Sequence, residues 1–222
     1  MKNICIALIG LFMVGCATAP MQMPKQELAA ITAAESSIAV QIYSSPPLSI
    51  TSVKSVAGSG LAATLSKSEN LPYGEAIMKK YEIENASRQL AKKVVKDLRA
   101  NCAATVFLSE EAKVLPIPEV APTYQMNADY VLEIAVNGLE ASYLPLNWQT
   151  YFIGMNAKSR LIKKVDNQIV WEGKAFANGI RDKRMKLDVT EFEKDEAKKV
   201  KEILDIGTTE CSRIIVKNLL SK

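Results

Sequence analysis

The chain has 222 residues, 28 Lys plus Arg against 24 Asp plus Glu, a formal charge of +4 and no histidine. At 48% hydrophobic and 23% charged, its composition excludes a wholly disordered chain, collagen and a polytopic membrane protein. The missing histidine excludes Ser-His-Asp and Cys-His nucleophile systems, His-ligated metals and imidazole acid–base chemistry. The expectation is a non-enzymatic protein with no metal and no cofactor.

Residues 1–16 read MKNICIALIGLFMVGC. Lys2 precedes an apolar stretch from Ile4 to Val14, of signal-peptide length and too short to cross a bilayer. Met13-Val14-Gly15-Cys16 resembles the lipobox of bacterial lipoproteins. That resemblance implies that residues 1–15 are a signal peptide and that Cys16 is lipidated, palmitate included. Ala17 in place of Asp implies, by likeness to Gram-negative sorting, an outer-membrane protein on the periplasmic face. Several acyl chains anchor stably, since each buried methylene contributes about 0.8 kcal/mol. The charge excess is too small and scattered for a nucleic-acid partner.

Residues 16–35 hold Pro20, Pro24, much alanine and few large apolar groups. They read as the lipidated cysteine and a tether, with a short helix near 25–35. Residues 17–35 span at most ~65 Å when extended. Residues 36–222 then read as a single periplasmic domain. Residues 36–43 (SSIAVQIY) predict a strand ended by Ser44 to Pro47, and Ile50 to Val56 a second short one. Residues 57–72, rich in Gly, Ser, Lys and Asn, read as a loop. Gly58-Ser59-Gly60-Leu61-Ala62-Ala63 fits G-x-G-x-x-A, but lacks the strand, helix and βαβ series of a dinucleotide site and reads as flexible loop. Pro72 suits the first turn of a helix capped by Asn70.

Residues 74–101 predict a helix whose stripe runs Ala86, Leu90, Val94 and Leu98, widened by Ala91, Val95 and Cys102. Residues 104–109 predict a short strand. Residues 114–124 hold Pro116, Pro118 and Pro122 and read as an extended loop or edge segment. From 128 to 137, Ala128, Tyr130, Leu132, Ile134 and Val136 alternate with Asp129, Glu133 and Asn137. In 150–164, Ile153, Met155, Ala157 and Leu161 take the apolar face, and Asn156, Lys158 and Arg160 the other. Asp166-Asn167 suits a two-residue hairpin turn. Ile169, Trp171, Gly173 and Ala175 then line one face opposite Glu172 and Lys174.

Residues 190–220 predict one closing helix, with Thr190 and Glu193 at capping-box spacing. Its stripe is Ala197, Val200, Leu204, Gly207, Cys211, Ile214 and Asn218, flanked by Ile203, Ile215 and Leu219. Gly207 costs about 1 kcal/mol against Ala, which points to close packing on the sheet, with a kink as the alternative. The fold class is α+β: a mainly antiparallel sheet, helices packed on one face, and a long C-terminal helix.

The periplasm is oxidising, so Cys102 and Cys211 are expected to form a disulfide. It would close a loop of about 110 residues, worth about 4–5 kcal/mol in the chain-entropy model. Asp129, Glu133 and Glu172, with Lys158, Arg160 and Lys174, read as a solvated cross-strand ladder rather than a catalytic carboxylate pair. Trp171 reads as core. Tyr143, Leu144, Leu146 and Trp148 are the candidate partner-binding rim. Arg181, Lys183, Arg184 and Lys186 read as a solvated basic loop.

The element order, with Ala128-Asp129-Tyr130-Val131-Leu132 and Gln168-Ile169-Val170-Trp171-Glu172-Gly173, resembles a group of α/β lipoprotein domains. These are the curli-secretion family, the penicillin-binding-protein activator lipoproteins, and the amino-terminal domain of the Tol-Pal β-propeller protein. An alanine–aspartate–hydrophobic strand start and a hydrophobic–Trp–x–Gly strand are common there. The resemblance covers about residues 36–220 and implies no catalytic residue. The expected function is an adaptor or assembly partner for another envelope protein, or self-association, with the membrane held through Cys16. The alternative is a module that binds a small ligand or glycan on its sheet face or in the 57–72 loop.

Overall fold

The computed structural model describes residues 23–51, 73–113, 117–144 and 147–221. The signal region, Cys16, the glycine motif at 58–63, the Asn70–Pro72 cap and Leu146 lie outside the described residues, as do the side chains of Leu144 and Trp148.

Strand β1 (Ser37–Tyr43) lies between β3 (Thr105–Lys113) and β4 (Tyr130–Leu144), parallel to both. Strand β5 (Asn147–Lys163) runs antiparallel to β4, and β6 (Gln168–Ala177) antiparallel to β5. The order is β3-β1-β4-β5-β6. Pro46 and Pro47 have no N–H to give a ladder, so β1 leaves β4 there. The short β2 (Ser49–Ile50) resumes beside Glu140 and Ala141. On the other flank β7 (Lys186–Asp188) takes over beside β5 beyond the end of β6. The longest pairings are antiparallel, in line with the sequence pattern. The parallel seat of β1 is an addition, made possible by the long crossover between β1 and β3.

Among the described residues, four helices cover one face: α1 (Lys25–Thr32), α2 (residues 73–80), α3 (Ala86–Asn101) and α4 (Lys198–Leu220). The helix expected over 74–101 is two. Ile83 N–H donates to Met78 O at 2.8 Å and Glu82 N–H to Lys79 O at 3.3 Å, with Glu82 at φ 50°. This bond pair is a Schellman stop. Asn85 then caps α3 by accepting from Ser87 N–H at 3.1 Å. The stripe Ala86, Leu90, Ala91, Val94, Val95 and Leu98 is buried as expected.

Helix α4 is continuous through Gly207 and packs closely there. A Cβ at 207 would meet the Cε atoms of Met155 and Met185, both at 3.2 Å. The helix starts at Lys198, later than expected. A separate 3-10 turn over Val189–Glu191 carries the capping box, Asp188 N–H donating to Glu191 at 2.8 Å and Thr190 N–H to Asp188 at 3.0 Å. Glu193 therefore caps nothing and instead accepts from Tyr73, Lys80 and Tyr81.

The expected Cys102–Cys211 disulfide is not formed; both are free thiols. Helices α3 and α4 advance in the same direction, with Lys93 bonded to Asp205 and Ser212 Oγ donating to Asp97 at 2.6 Å. Since Asp97 already stands beside Ser212, Cys102 lies past the level of Cys211. Burial pushes the Cys211 thiol up to about 12, against the backbone of Ala177.

Three further boundaries differ from the pattern. Helix α1 is the short helix expected near 25–35, but it is docked rather than part of a free tether, with Leu28 and Ile31 buried in the core. The β5–β6 turn takes four residues, 164–167, with Asn167 alone at positive φ (56°). A bulge at Val170 turns Val170 and Trp171 to the helices and Ile169 to the opposite face. Trp171 is buried core, as expected.

Candidate functional site

The helix-free face of the sheet was expected to be a solvated ladder, and half of it is not. Residues 117–127, of which 117–124 were expected as loop or edge, cross this face. Their Ala121 and Tyr124 bury Val131 and Ile162 in a second, small core. Beside it Glu133 and Arg160 are cross-strand partners and both are sealed from solvent. The Glu133 carboxylate accepts from Arg160 Nε, from the Tyr124 hydroxyl and, at 3.1 Å, from the Tyr43 hydroxyl. Arg160 Nη1 donates to Glu119 O at 3.2 Å, while Nη2 has no partner among the described residues. Burial, then the bond to Glu133, raises the Tyr124 pKa. Lys113 sits 4.0 Å over the Tyr124 ring. A carboxyl gripped by a guanidinium and two phenols, and sealed from solvent, is held rigidly in place as an acceptor.

The remaining acidic candidates are not brought together with it. The Asp129 carboxylate accepts from Ser37 N–H at 2.8 Å and Ser37 Oγ at 2.7 Å, tying the start of β4 to the start of β1. Those bonds hold its pKa low, the side-chain one first. This is the physical content of the alanine–aspartate strand start. Glu172 is half-buried on β6, opposite Arg160. A depression of about 660 Å³ beside Asp129 also meets Lys163, but Lys163 donates to Glu27 of α1 at 2.7 Å. That depression is a helix-docking seam.

The other half of the face is open. Two depressions, about 450 and 370 Å³, share Asn137, Asn156 and Phe176. They lie where β1 has left the sheet at Pro46-Pro47 and where β4 bulges at Asn137. Phe176 is 50% exposed. The sequence reading missed this groove, although Gly138 and Gly154 in mid-strand were its signal.

Of the candidate rim, Tyr143 is described. It pairs with Tyr151 of β5 near the narrow end of the β4–β5 hairpin, the two rings 4.1 Å apart, and Tyr151 meets Phe192 edge-on at 4.9 Å. Leu144 pairs with Asn147, the first residue of β5, and Trp148 follows it, so Tyr143, Leu144 and Trp148 belong to one end of the β4–β5 hairpin. Arg184 of the basic loop is exposed and donates to Asp182 at 2.7 Å. Among the described residues no His/Cys/Asp/Glu group is placed to hold a metal, and no helix is long and apolar enough to cross a membrane.

No family model matches the chain, and no curated protein matches it. Among solved structures it is similar to the PelC dodecamer from Paraburkholderia phytofirmans, at 13% identity over 92% of this chain and 96% of that one, with a TM-score of 0.46. Protein XCC0632 from Xanthomonas campestris is similar at 12% identity, covering 83% and 84%, with a TM-score of 0.42. Lipoprotein GNA1162 from Neisseria meningitidis is similar at 17% identity, covering 70% and 85%, with a TM-score of 0.26. No residue of this chain takes a role from any of them.

Proposed function

We propose that the protein is a non-enzymatic lipoprotein anchored through Cys16 on the periplasmic face of the outer membrane. There its β4–β5 tip engages another envelope protein or a second copy of the chain. The observation that supports this most is the seat of α1. Tyr130 at the start of β4 donates to Glu27 of α1 at 2.8 Å, and Leu144 ends the same 15-residue strand. At roughly 3.3 Å per residue the tip stands about 45 Å from α1. Residues 17–24 span at most ~28 Å, so the α1 pole stays near the bilayer and the tip points away from it.

The test is crosslinking of the full-length protein in its native cells. One dominant envelope protein, or the chain itself, is expected in the membrane fraction. Capture is lost when Tyr143 and Trp148 are changed together to Ala, and Cys16→Ser moves the protein to the soluble fraction. Capture of no protein, or capture unchanged in the double variant, overturns the reading.

A further inference from the structure

We propose that the open half of the outer sheet face binds a chain of acidic sugars. The two depressions there share three lining residues and so make one continuous groove, within the size range of small-ligand sites.

The floor is the first observation. Gly154 stands in the middle of β5, opposite Glu140. A strand-interior glycine weakens a sheet by roughly 0.5–1 kcal/mol and marks a place where a ligand or a backbone comes close. Packing does not require it: a Cβ at 154 would meet only Glu140 O, at 4.0 Å, and its φ is not left-handed. The missing side chain keeps the floor open between Phe152 and Asn156, its neighbours on this face.

The polar lining is the second. Lys158 and Lys174 are direct cross-strand partners. Like charges so placed repel unless an anion lies between them. No ion pair or hydrogen bond engages either ammonium among the described residues, nor the Asn137 and Asn156 amides. The acid in the lining, Glu140, stands at the far end, where it accepts from Thr51 at 3.2 Å and Ser142 at 3.0 Å, so the carboxylates of a ligand are matched at the Lys158–Lys174 end. Glu172, one pair further along β6, stands opposite Arg160.

The third is the exposed Phe176 ring, common to both depressions. A pyranose presents a C–H face to such a ring and hydroxyls at its rim. Each Asn amide offers donors and an acceptor to those hydroxyls, and the lysines match carboxylates. The floor of the groove is the β4–β5 ladder, and its rim is β6, the last strand of the sheet. A peptide pairing with that edge is the competing occupant, and the poly-aspartate arm of the test separates it from a sugar.

The test uses the full-length protein in detergent micelles, with tetragalacturonate as the acidic probe and maltotetraose as the neutral one. Amide chemical shifts and titration calorimetry are the readouts. Tetragalacturonate is expected to shift the amides of 137–138, 154–158 and 174–176, and to bind at least tenfold tighter than maltotetraose. Gly154→Val and Phe176→Ala are each expected to weaken it about tenfold. Changing Lys158 and Lys174 together to Gln removes the preference for the acidic probe. A Cβ at 154 meets only Glu140 O, at ordinary contact distance, so Gly154→Val is expected to fold with a Tm at or above that of wild type; if it does not fold, Phe176→Ala decides. No shift in the groove overturns the proposal. So does poly-aspartate moving the same amides with an affinity that neither variant changes.

Discussion

Glu133 and Arg160 face each other across β4 and β5 at 0% and 1% side-chain exposure, on the face that strict alternation gives to water. Two charges taken out of water are stable only with their mutual bond and further partners, here Tyr43, Tyr124 and Glu119 O. Removing one member leaves the other buried and unpaired. Glu133→Leu and Arg160→Met are each expected to cost about 3–5 kcal/mol, and the double variant much less than either. Urea denaturation of the four proteins measures this. A single variant within 1 kcal/mol of wild type would show that the pair is solvated.

The α1 pole is expected to loosen in acid. The Lys163 hydrogen bond first, then that of Tyr130, holds the Glu27 carboxyl below its ordinary range, and Ser37 does the same for Asp129. A carboxyl with a lower pKa folded than unfolded stabilises the fold above its unfolded pKa, and that contribution fades as pH falls through the folded value. Amide protection at Leu28 and Ile31 should therefore be weaker in Glu27→Gln than in wild type at pH 7. The gap should close as pH falls below about 4. A gap that widens in acid contradicts the assignment.

The main core was legible because its signals are periodic. The stripe of α3, the run Tyr130, Leu132, Ile134 and Val136, and the phase of α4 through Gly207 as far as Cys211 each repeat at one period and are buried where expected; past Cys211 the buried row runs through Ile215 and Leu219 and leaves Ile214 and Asn218 half-buried. What was illegible lies in single residues that break a period. Glu82 takes a left-handed turn that sequence gives to glycine, so the helix stop before α3 left no mark. The bulge at Val170 shifts one residue and moves Ile169 to the other face. Alternation says which residues share a face, but not whether a distant segment covers it, and so Tyr124 over Glu133 and Arg160 was hidden. The groove failed for the converse reason: it is made by what is absent at Gly154.

Thiol chemistry separates the two cysteines. Burial raises both thiols, Cys211 to about 12, and Cys102 is only half-buried where Cys211 is sealed. The thiolate is the reactive form, so iodoacetamide at pH 8 should label Cys102 slowly and Cys211 more slowly still. Peptide mass spectrometry of the folded protein reads the order. In denaturant without reductant, both should label at once. Protection of both under those conditions would mean that they are bonded to each other after all.

Trp171 and Gly173 form one packing unit. A Cβ on Gly173 would meet Trp171 Cη2 at 2.3 Å and Cζ2 at 2.4 Å, so the buried indole lies back over the glycine two residues on. The ring is wedged in the core and has nowhere to retreat, so Gly173→Ala should cost about 1–3 kcal/mol, the usual price of overpacking. Gly207→Ala is the contrast. Its Cβ meets only the Cε ends of Met155 and Met185, at 3.2 Å, and these flexible tips give way. The gain of about 1 kcal/mol in helix propensity offsets the squeeze. Thermal denaturation should therefore place Gly207→Ala within a few degrees of wild type and Gly173→Ala well below it. The opposite order would mean that the indole, and not the methionines, is the part of the core that yields.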